Sequence, residues 1–206
     1  MLSRNTLSLA TLAFGILTLG MGCPLSSPTI APTTPTPTTN TGSNTRIITI
    51  KPMAGFKVYE NSKEKFAMQY PEAWTVAENS FNTIVSFRSP LTNKDDKFSE
   101  NVNVVSEVIG DKNITLDQYY KVSEENLKKF FSDFKLIKNE STTLSGSPAR
   151  MVIYSASQSQ LKLRTTQIFT IKDGKAYIVT LTNTQSEPNQ YLQDMLKISQ
   201  SFQFTP

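Results

Sequence analysis

Three carboxylates lie close together in the segment TNKDDKFSE, at Asp95, Asp96 and Glu100. Carboxylate oxygens are the ligands that calcium prefers, so these residues form a candidate calcium site. Lys94 and Lys97 are interleaved with them, however, and the spacing is not that of a calcium-binding loop. The sequence therefore favours a solvated polar loop between two strands over a metal site.

Nucleophilic catalysis has little support in this chain. The chain contains no histidine, which excludes Ser-His-Asp and Cys-His mechanisms and every histidine metal site. Ser145 and Ser147 flank Gly146, and a serine with a distant lysine is a conceivable nucleophile and base, but Pro148 directly after them is typical of a turn. Phosphate-binding loops, dinucleotide fingerprints and zinc motifs are also missing from the sequence. We therefore expect a protein that is not an enzyme and has no cofactor.

The single cysteine, Cys23, follows a segment that is typical of an export signal. Arg4 supplies the positive start, residues 7–19 are largely apolar, and Gly20 and Gly22 are small residues just ahead of the cysteine. This arrangement resembles a bacterial lipoprotein signal, in which the cysteine thiol is acylated and the chain is cut just before it. The leucine lies one place earlier than in the usual pattern. The alternative is a simple secretory signal followed by a free thiol.

The chain divides into three parts by composition. We expect residues 1–22 to be the signal peptide, residues 23–45 to be the lipidated cysteine with an unfolded linker rich in proline and threonine, and residues 46–206 to be one folded domain. The linker has no apolar face whose burial would offset the entropy lost on ordering it. Such a tether would hold the domain near a membrane, on the lumen side of a thylakoid or on a periplasmic or outer envelope face.

The charge balance is mildly basic. The formal net charge is +4, and Arg4 is the only charged residue before Arg46. This excess is too small to indicate nucleic acid as a partner. The basic residues are scattered along the chain, so the sequence is also weak evidence for binding to an anionic membrane surface.

Strand signals dominate the folded part. Apolar and polar residues alternate over residues 65–71, 83–90, 101–109 and 149–157, which predicts strands there. Two further strands, 161–172 and 175–184, flank Asp173-Gly174, a strong signal for a hairpin turn. Trp74, just after Pro71, is expected to be a core residue at the end of a strand.

Two helices are expected between the strands. Thr115 with Gln118 three residues later fits a capping box and predicts a helix over residues 115–134. Its apolar residues indicate core packing rather than a ligand site: Leu116, Tyr120, Leu127, Phe131 and Phe134 on one broad face, with Tyr119 and Phe130 beside it. The second helix is expected to begin near Pro188, and the SFQF that follows it is either a last strand or a packed tail.

These elements determine the expected fold class. Hairpin-linked strands imply an antiparallel sheet, and helices are needed to cover its faces. The sequence therefore predicts an α+β fold in which helices flank an antiparallel β-sheet.

Six short motifs occur in order over roughly residues 55–204. They are Phe66-x-x-x-Tyr70-Pro71-x-x-Trp74, Asn101-Val102-x-Val104, Thr115-Leu116, Leu144-x-Gly146-x-x-Ala149, Ala176-Tyr177 and Ser201-Phe202. Their order and spacing resemble the PsbP family, extrinsic lumen-side proteins of photosystem II and their bacterial relatives. The resemblance implies an antiparallel sheet between helices, an α/β/α sandwich.

The same resemblance carries expectations about function. Members of the PsbP family bind protein surfaces and are not known for catalysis. Photosynthetic members help to assemble photosystem II or retain its calcium and chloride, and cyanobacterial members are lipoproteins, which agrees with Cys23. Metal sites described in the family use histidine, which this chain lacks. We therefore expect no metal site of that kind in this chain.

Two functional hypotheses follow. In the first, the protein is a lipid-tethered, non-catalytic module that docks on a membrane protein complex, which is photosystem II if the host is photosynthetic. In the second, it is a general envelope lipoprotein that binds a small ligand or a cell-surface component.

Overall fold

The computed structural model describes residues 50–110, 113–185 and 190–206. The signal segment, Cys23, the linker and Pro188 lie outside the described residues. Within these ranges the chain forms ten strands and two helices: β1 (Phe56–Asn61), β2 (Phe66–Pro71), β3 (Thr75–Glu78), β4 (Val85–Arg88), β5 (Asn101–Val108), α1 (Leu116–Phe130), β6 (Lys135–Leu144), β7 (Ser147–Gln158), β8 (Leu161–Lys172), β9 (Lys175–Thr184), α2 (Leu192–Gln200) and β10 (Gln203–Phe204).

The strands form a large and a small sheet. The large sheet has seven strands in the order β3-β4-β5-β9-β8-β7-β6, and the small sheet has three in the order β1-β2-β10. Every pairing in both sheets is antiparallel. The hairpin predicted at Asp173-Gly174 joins β8 to β9, and both turn residues have positive φ, at 52° and 76°.

Opposite faces of the large sheet carry separate cores. On the front face, Tyr177, Val179 and Leu181 of β9 belong to a cluster shared with the small sheet and α2. On the back face, Ala176 of β9 belongs to a cluster shared with α1. Alternate residues of a strand point to opposite faces, so one strand contributes to both cores. The predicted α+β class, an antiparallel sheet flanked by helices, is confirmed.

Aromatic contacts tie the front layer together. The rings of Phe66 and Phe202 stack with centroids 5.2 Å apart, which joins β2 to the segment after α2. The indole of Trp74 meets Tyr191 edge-on at 5.7 Å, and Trp74 is buried, which confirms its expected core position. The SFQF tail ends in β10, which pairs with β2.

Helix α1 differs from its prediction at its end and on its buried face. Thr115 and Gln118 form the predicted capping box, but the helix ends at Phe130, because Phe131 has extended backbone at φ −108° and ψ 112°. The fully buried tyrosine is Tyr119, whose ring lies 5.3 Å from that of Phe169 on the sheet. Tyr120, which was placed on the apolar face, is only half-buried.

Three strands lie outside the predicted ranges, β1, β3 and β6. Strand β3 has only four residues, and the burial of β1 and β6 explains why those two were missed. In β1 the buried residues are Phe56 and Tyr59, three positions apart, which is not a strand period. In β6, residues 135–139 are all exposed, so no alternation marks them as a strand. A search for alternating apolar and polar residues therefore finds neither β1 nor β6.

Within the described residues, no helix is both long enough and apolar enough to cross a membrane.

Candidate functional site

Part of the front face is left open by the small sheet and α2. Along β8, the front-face residues run from Thr170, which is buried, through Ile168 and Thr166, which are half-buried, to Arg164, which is exposed. The front layer therefore covers one end of β8 and leaves the other end in solvent. The same gradient occurs on β6, where Leu144 is buried and Lys135 is exposed.

Strand register brings four cations onto this open region. Lys135 of β6 pairs with Ser155 of β7, and Ser155 pairs with Arg164 of β8. Residues directly opposite one another in an antiparallel sheet point to the same face, so Lys135 and Arg164 lie on one side. The same argument applies to two more lysines. Lys162 is opposite Ser157 and Lys138 is opposite Ile153, so both lie on that side. We call Lys135, Lys138, Lys162 and Arg164 the basic face.

The basic face is compact. Neighbouring strands lie about 4.8 Å apart, so the backbones of Lys135 and Arg164, with β7 between them, are about 10 Å apart. Alternate residues along a strand are about 7 Å apart, which is the spacing from Lys162 to Arg164. These spacings are close to the screening length of about 8 Å at physiological salt. The four charges therefore act together on an approaching ion or surface.

Few carboxylates oppose these charges. Within strands β6 to β9, Glu140 is the one acidic residue, and it pairs with Lys138 at 2.7 Å. Asp133, in the turn before β6, accepts a hydrogen bond from the backbone N–H of Ser157 at 3.0 Å. Hydrogen bonds from Ser157 hold the pKa of Asp133 below its ordinary value, and the charge of Lys162 adds to that effect. The region remains predominantly positive.

Exposed apolar side chains occur at the start of β6 and at the end of α1. Ile137 is 45% exposed and Leu136 is 38% exposed, and a bulge interrupts the pairing of β6 with β7 between Leu136 and Lys138. Phe130, at the end of α1, is 61% exposed. Strand β6 is also an edge of the large sheet. Leu136 pairs with Tyr154 and therefore points to the back face, where α1 also lies. Ile137, next to Lys138 at the bulge, is therefore the apolar residue of the three that lies beside the basic face along the strand.

The three acidic residues of the candidate calcium site have separate hydrogen-bond roles. Asp96 accepts hydrogen bonds from the backbone N–H groups of Thr92, at 2.9 Å, and Phe98, at 3.0 Å. Burial pushes the pKa of Asp96 upward, but these hydrogen bonds outweigh it and hold that pKa below its ordinary value. Asp96 therefore organises its own loop.

The other two acids of that segment lie apart from this arrangement. Glu100 is buried and accepts a hydrogen bond from the hydroxyl of Ser89 at 3.2 Å. Asp95 is exposed, and its backbone N–H donates to Asn93. No group of three or more His, Cys, Asp or Glu side chains in the described ranges is placed to hold a metal ion.

The serines considered as nucleophiles belong to a turn. Ser145 and Gly146 have φ of 51° and 74° and join β6 to β7, as the turn interpretation predicted. The hydroxyl of Ser145 accepts a hydrogen bond from the backbone N–H of Phe204 at 2.9 Å. Its contact is therefore with the end of the small sheet.

Buried polar side chains lie on the back face of the sheet, on β4 and β5. Ser86 of β4 pairs with Asn103 of β5, and both are fully buried. The amide of Asn103 donates to Asn101, two residues away on the same face, at 3.3 Å. Such a group is a conceivable small-ligand site, but its members are closed off from solvent. It is therefore a weaker candidate than the open basic face.

The residues of the basic face do not stand out as a site in the sequence. One local signal was present: Lys162 and Arg164 alternate with Leu161 and Leu163, which predicts two cations on one side of a strand. Lys135 lies far from them in sequence and joins them only through the pairing of β6, β7 and β8. These four residues are spread along the chain, and the strand pairing brings them onto one face.

Comparison with known proteins identifies the family. The family model described as DcrB matches residues 68–201 of this chain. The chain belongs to the DcrB family. This DcrB-family chain has no match among curated proteins.

Solved structures extend the likeness at the level of fold. The cyanobacterial PsbP protein CyanoP of Synechocystis is 18% identical with a TM-score of 0.56, over 74% of this chain and 94% of that one. Protein PA94 of Pseudomonas aeruginosa is 17% identical with a TM-score of 0.51, over 71% and 94%. LpqN of Mycobacterium tuberculosis, a protein involved in cell envelope biogenesis, is 14% identical with a TM-score of 0.51, over 68% and 83%.

These comparisons support a coarser statement than the resemblance first suggested. The DcrB-family domain shares its fold with a PsbP protein and with proteins from bacteria of other kinds. At such identities the likeness concerns the fold alone. The chain therefore has a PsbP-like fold within the DcrB family, and a specific assignment to PsbP does not follow.

Proposed function

We propose that this protein is a lipid-anchored, non-catalytic binding protein of the cell envelope that docks on a negatively charged partner at the membrane. The observation that carries this proposal is the basic face, where Lys135, Lys138, Lys162 and Arg164 converge on open strands. Acylation of Cys23 would supply the anchor, and the linker would let the domain reach its partner.

Several observations support a binding role rather than catalysis. The chain has no histidine, and the serines considered as nucleophiles form a hairpin turn. Two of the acidic residues considered for calcium have other partners: Asp96 bonds within its own loop, and Glu100 accepts a hydrogen bond from Ser89. An open, charged sheet face is suited to contact with a large surface, since it offers no enclosed volume for a substrate.

The anchor is tested by replacing Cys23 with alanine in the native host. The wild-type protein is expected in the membrane pellet, and the Cys23→Ala protein in the soluble exported fraction. Ser26→Ala, a nearby change that keeps the thiol, should fractionate like the wild type. Intact-mass measurement of the mature protein should show the added acyl chains, and a mature mass without lipid would contradict the anchor.

Docking on photosystem II is a narrower form of this proposal. The likeness to CyanoP motivates it, although at 18% identity that likeness concerns the fold alone. In a photosynthetic host, the protein would be expected to enrich with chlorophyll-containing photosystem fractions. Enrichment in chlorophyll-free envelope fractions would favour the general envelope role.

A further inference from the structure

We infer that the basic face binds the anionic phospholipid headgroups of the bilayer to which the chain is tethered. This inference rests on the proposed function, because the lipid anchor is what keeps the domain close to a membrane. It adds an orientation. The part of the front face that the small sheet and α2 leave uncovered, on β6, β7 and β8, faces the bilayer. The small sheet and α2 lie beside this membrane contact.

The exposed cations of the basic face are arranged to contact an extended anionic surface. Lys135, Lys162 and Arg164 are exposed, and none of the three makes an ion pair with any described residue. Each Lys or Arg near an anionic membrane strengthens binding by roughly fivefold, so several together convert a weak contact into a persistent one. The effect falls off within a screening length, which fits the close spacing of these residues.

Small polar residues separate the long cationic side chains. Ser155 lies between Lys135 and Arg164 in one cross-strand row, and Ser157, whose side chain and backbone N–H bond to Asp133, lies opposite Lys162. Hydroxyls donate hydrogen bonds to phosphate oxygens, and short side chains let the ammonium and guanidinium groups reach outward. Lys135, Ser155 and Arg164 therefore present donors to more than one phosphate at once.

Ile137 adds an exposed apolar side chain next to Lys138 of the basic face. Ile137 emerges from β6 between Leu136 and Lys138 and is 45% exposed. Proteins that lie on membranes combine basic residues with apolar side chains that enter the boundary between headgroups and acyl chains. The basic face and Ile137 are close enough on β6 to engage a bilayer together.

A bilayer explains this surface better than a folded acidic partner does. Tight protein interfaces are organised around rigid aromatic or arginine anchors set in well-packed pockets. Here three of the four cations are lysines, whose flexible stems suit mobile phosphates rather than fixed carboxylates. An acidic protein partner is the competing outcome of the experiment below.

The test uses the exported Cys23→Ala protein, so that an acyl chain cannot mask binding by the domain. Flotation with vesicles of phosphatidylcholine alone and with phosphatidylglycerol added measures the contact. Binding is expected only to the anionic vesicles, and raising the salt should weaken it. Equal binding to both vesicle types, or no binding to anionic vesicles at low salt, would overturn the inference.

A charge-matched pair of variants assigns the contact to this face. Lys135→Glu with Arg164→Glu should abolish flotation, since each unit of charge removed costs roughly fivefold. Lys57→Glu with Lys94→Glu changes the net charge equally at exposed positions elsewhere and should retain most of the binding. Circular dichroism and urea midpoints establish that both proteins fold. If the two double variants bind alike, the face is not the contact.

An orientation readout separates lipid from protein partners. A tryptophan placed by Ile137→Trp should shift its emission to the blue when anionic vesicles are added, whereas the protein without that change should not shift, because Trp74 is already buried. Crosslinking of this position to an acidic protein in cells, without a shift on vesicles, would overturn the lipid assignment. The Cys23→Ala fractionation tests the anchor independently, so failure of one proposal is distinguishable from failure of the other.

Discussion

The side chain of Glu64 links the small sheet to the large sheet through hydrogen bonds. Its carboxylate accepts a hydrogen bond from the hydroxyl of Ser106 at 3.1 Å and from the ammonium group of Lys175 at 3.0 Å. Glu64 lies between β1 and β2, whereas Ser106 and Lys175 belong to β5 and β9 of the large sheet. Burial raises the pKa of Glu64, but these partners outweigh it, so that pKa lies below its ordinary value. The bond to Glu64 raises the pKa of Lys175 correspondingly.

This pair predicts a pH-dependent effect on stability. A carboxyl group whose pKa is lowered by folding stabilises the folded protein at pH values above its unfolded pKa, which is near 4.5 for Glu64. This stabilisation is lost as the pH falls through the folded pKa. Lys175→Met should therefore reduce the free energy of unfolding at neutral pH by up to about 1 kcal/mol, since the pair is partly exposed. The deficit should shrink in acid.

Urea denaturation at neutral and acidic pH measures this difference. Lys57→Met, which removes an exposed lysine of β1, is the matched control and should change stability little at either pH. A deficit for Lys175→Met that persists unchanged in acid would show that the lysine acts through packing of its stem rather than through Glu64.

At the scale of elements, three hairpin turns of the large sheet share one geometry but differ in sequence. Ser145-Gly146 and Asp173-Gly174 have positive φ at both residues and carry glycine at the second. Ser159-Gln160, between β7 and β8, has φ of 47° and 71° without any glycine. This type of turn matches the twist of paired strands, but a residue with a Cβ is strained in it.

Opposite substitutions at two of these turns should change stability in opposite directions. Gln160→Gly should raise the free energy of unfolding by about 0.5–1 kcal/mol, because glycine tolerates positive φ. Gly146→Ala should lower it by about 1 kcal/mol, and purely through backbone conformation, because nothing lies within 4 Å of the added Cβ. Urea midpoints check both, and a loss of stability in Gln160→Gly would contradict the strain argument.

At the scale of the whole molecule, residues 46–206 are expected to fold without the preceding segment. The front core includes Phe56 and Tyr59 of β1, so the boundary must lie before that strand. Expressed alone, residues 46–206 should unfold at the same urea midpoint as the exported Cys23→Ala chain.

A shorter fragment is expected to be less stable than residues 46–206. Residues 62–206 lack β1 and therefore lose the burial of Phe56 and Tyr59, which costs several kcal/mol by analogy with large-to-small core changes. This piece should unfold at a much lower urea concentration. A fragment starting at residue 46 that is equally unstable would show that the linker or signal contributes to the fold.

Local features of the chain were predictable because local interactions create them. The β8–β9 hairpin follows from Asp173-Gly174, and the start of α1 follows from the capping box of Thr115 and Gln118. The core position of Trp74 likewise follows from an apolar side chain at a strand end. The exposed residues 135–139 of β6 offered no such signal, so that strand, and the site it helps to build, escaped prediction.

The sequence by itself determined the class of the protein: an α+β domain, without the histidine that the considered catalytic and metal sites need, preceded by a segment typical of lipoprotein export. Only the tertiary structure decided where Lys135, Lys138, Lys162 and Arg164 lie relative to one another. Strand alternation and turn preference act between near neighbours, whereas a shared face depends on register across three strands. The two-residue turns Ser145-Gly146 and Ser159-Gln160 set that register, and the second of them contains no glycine that would mark it in the sequence.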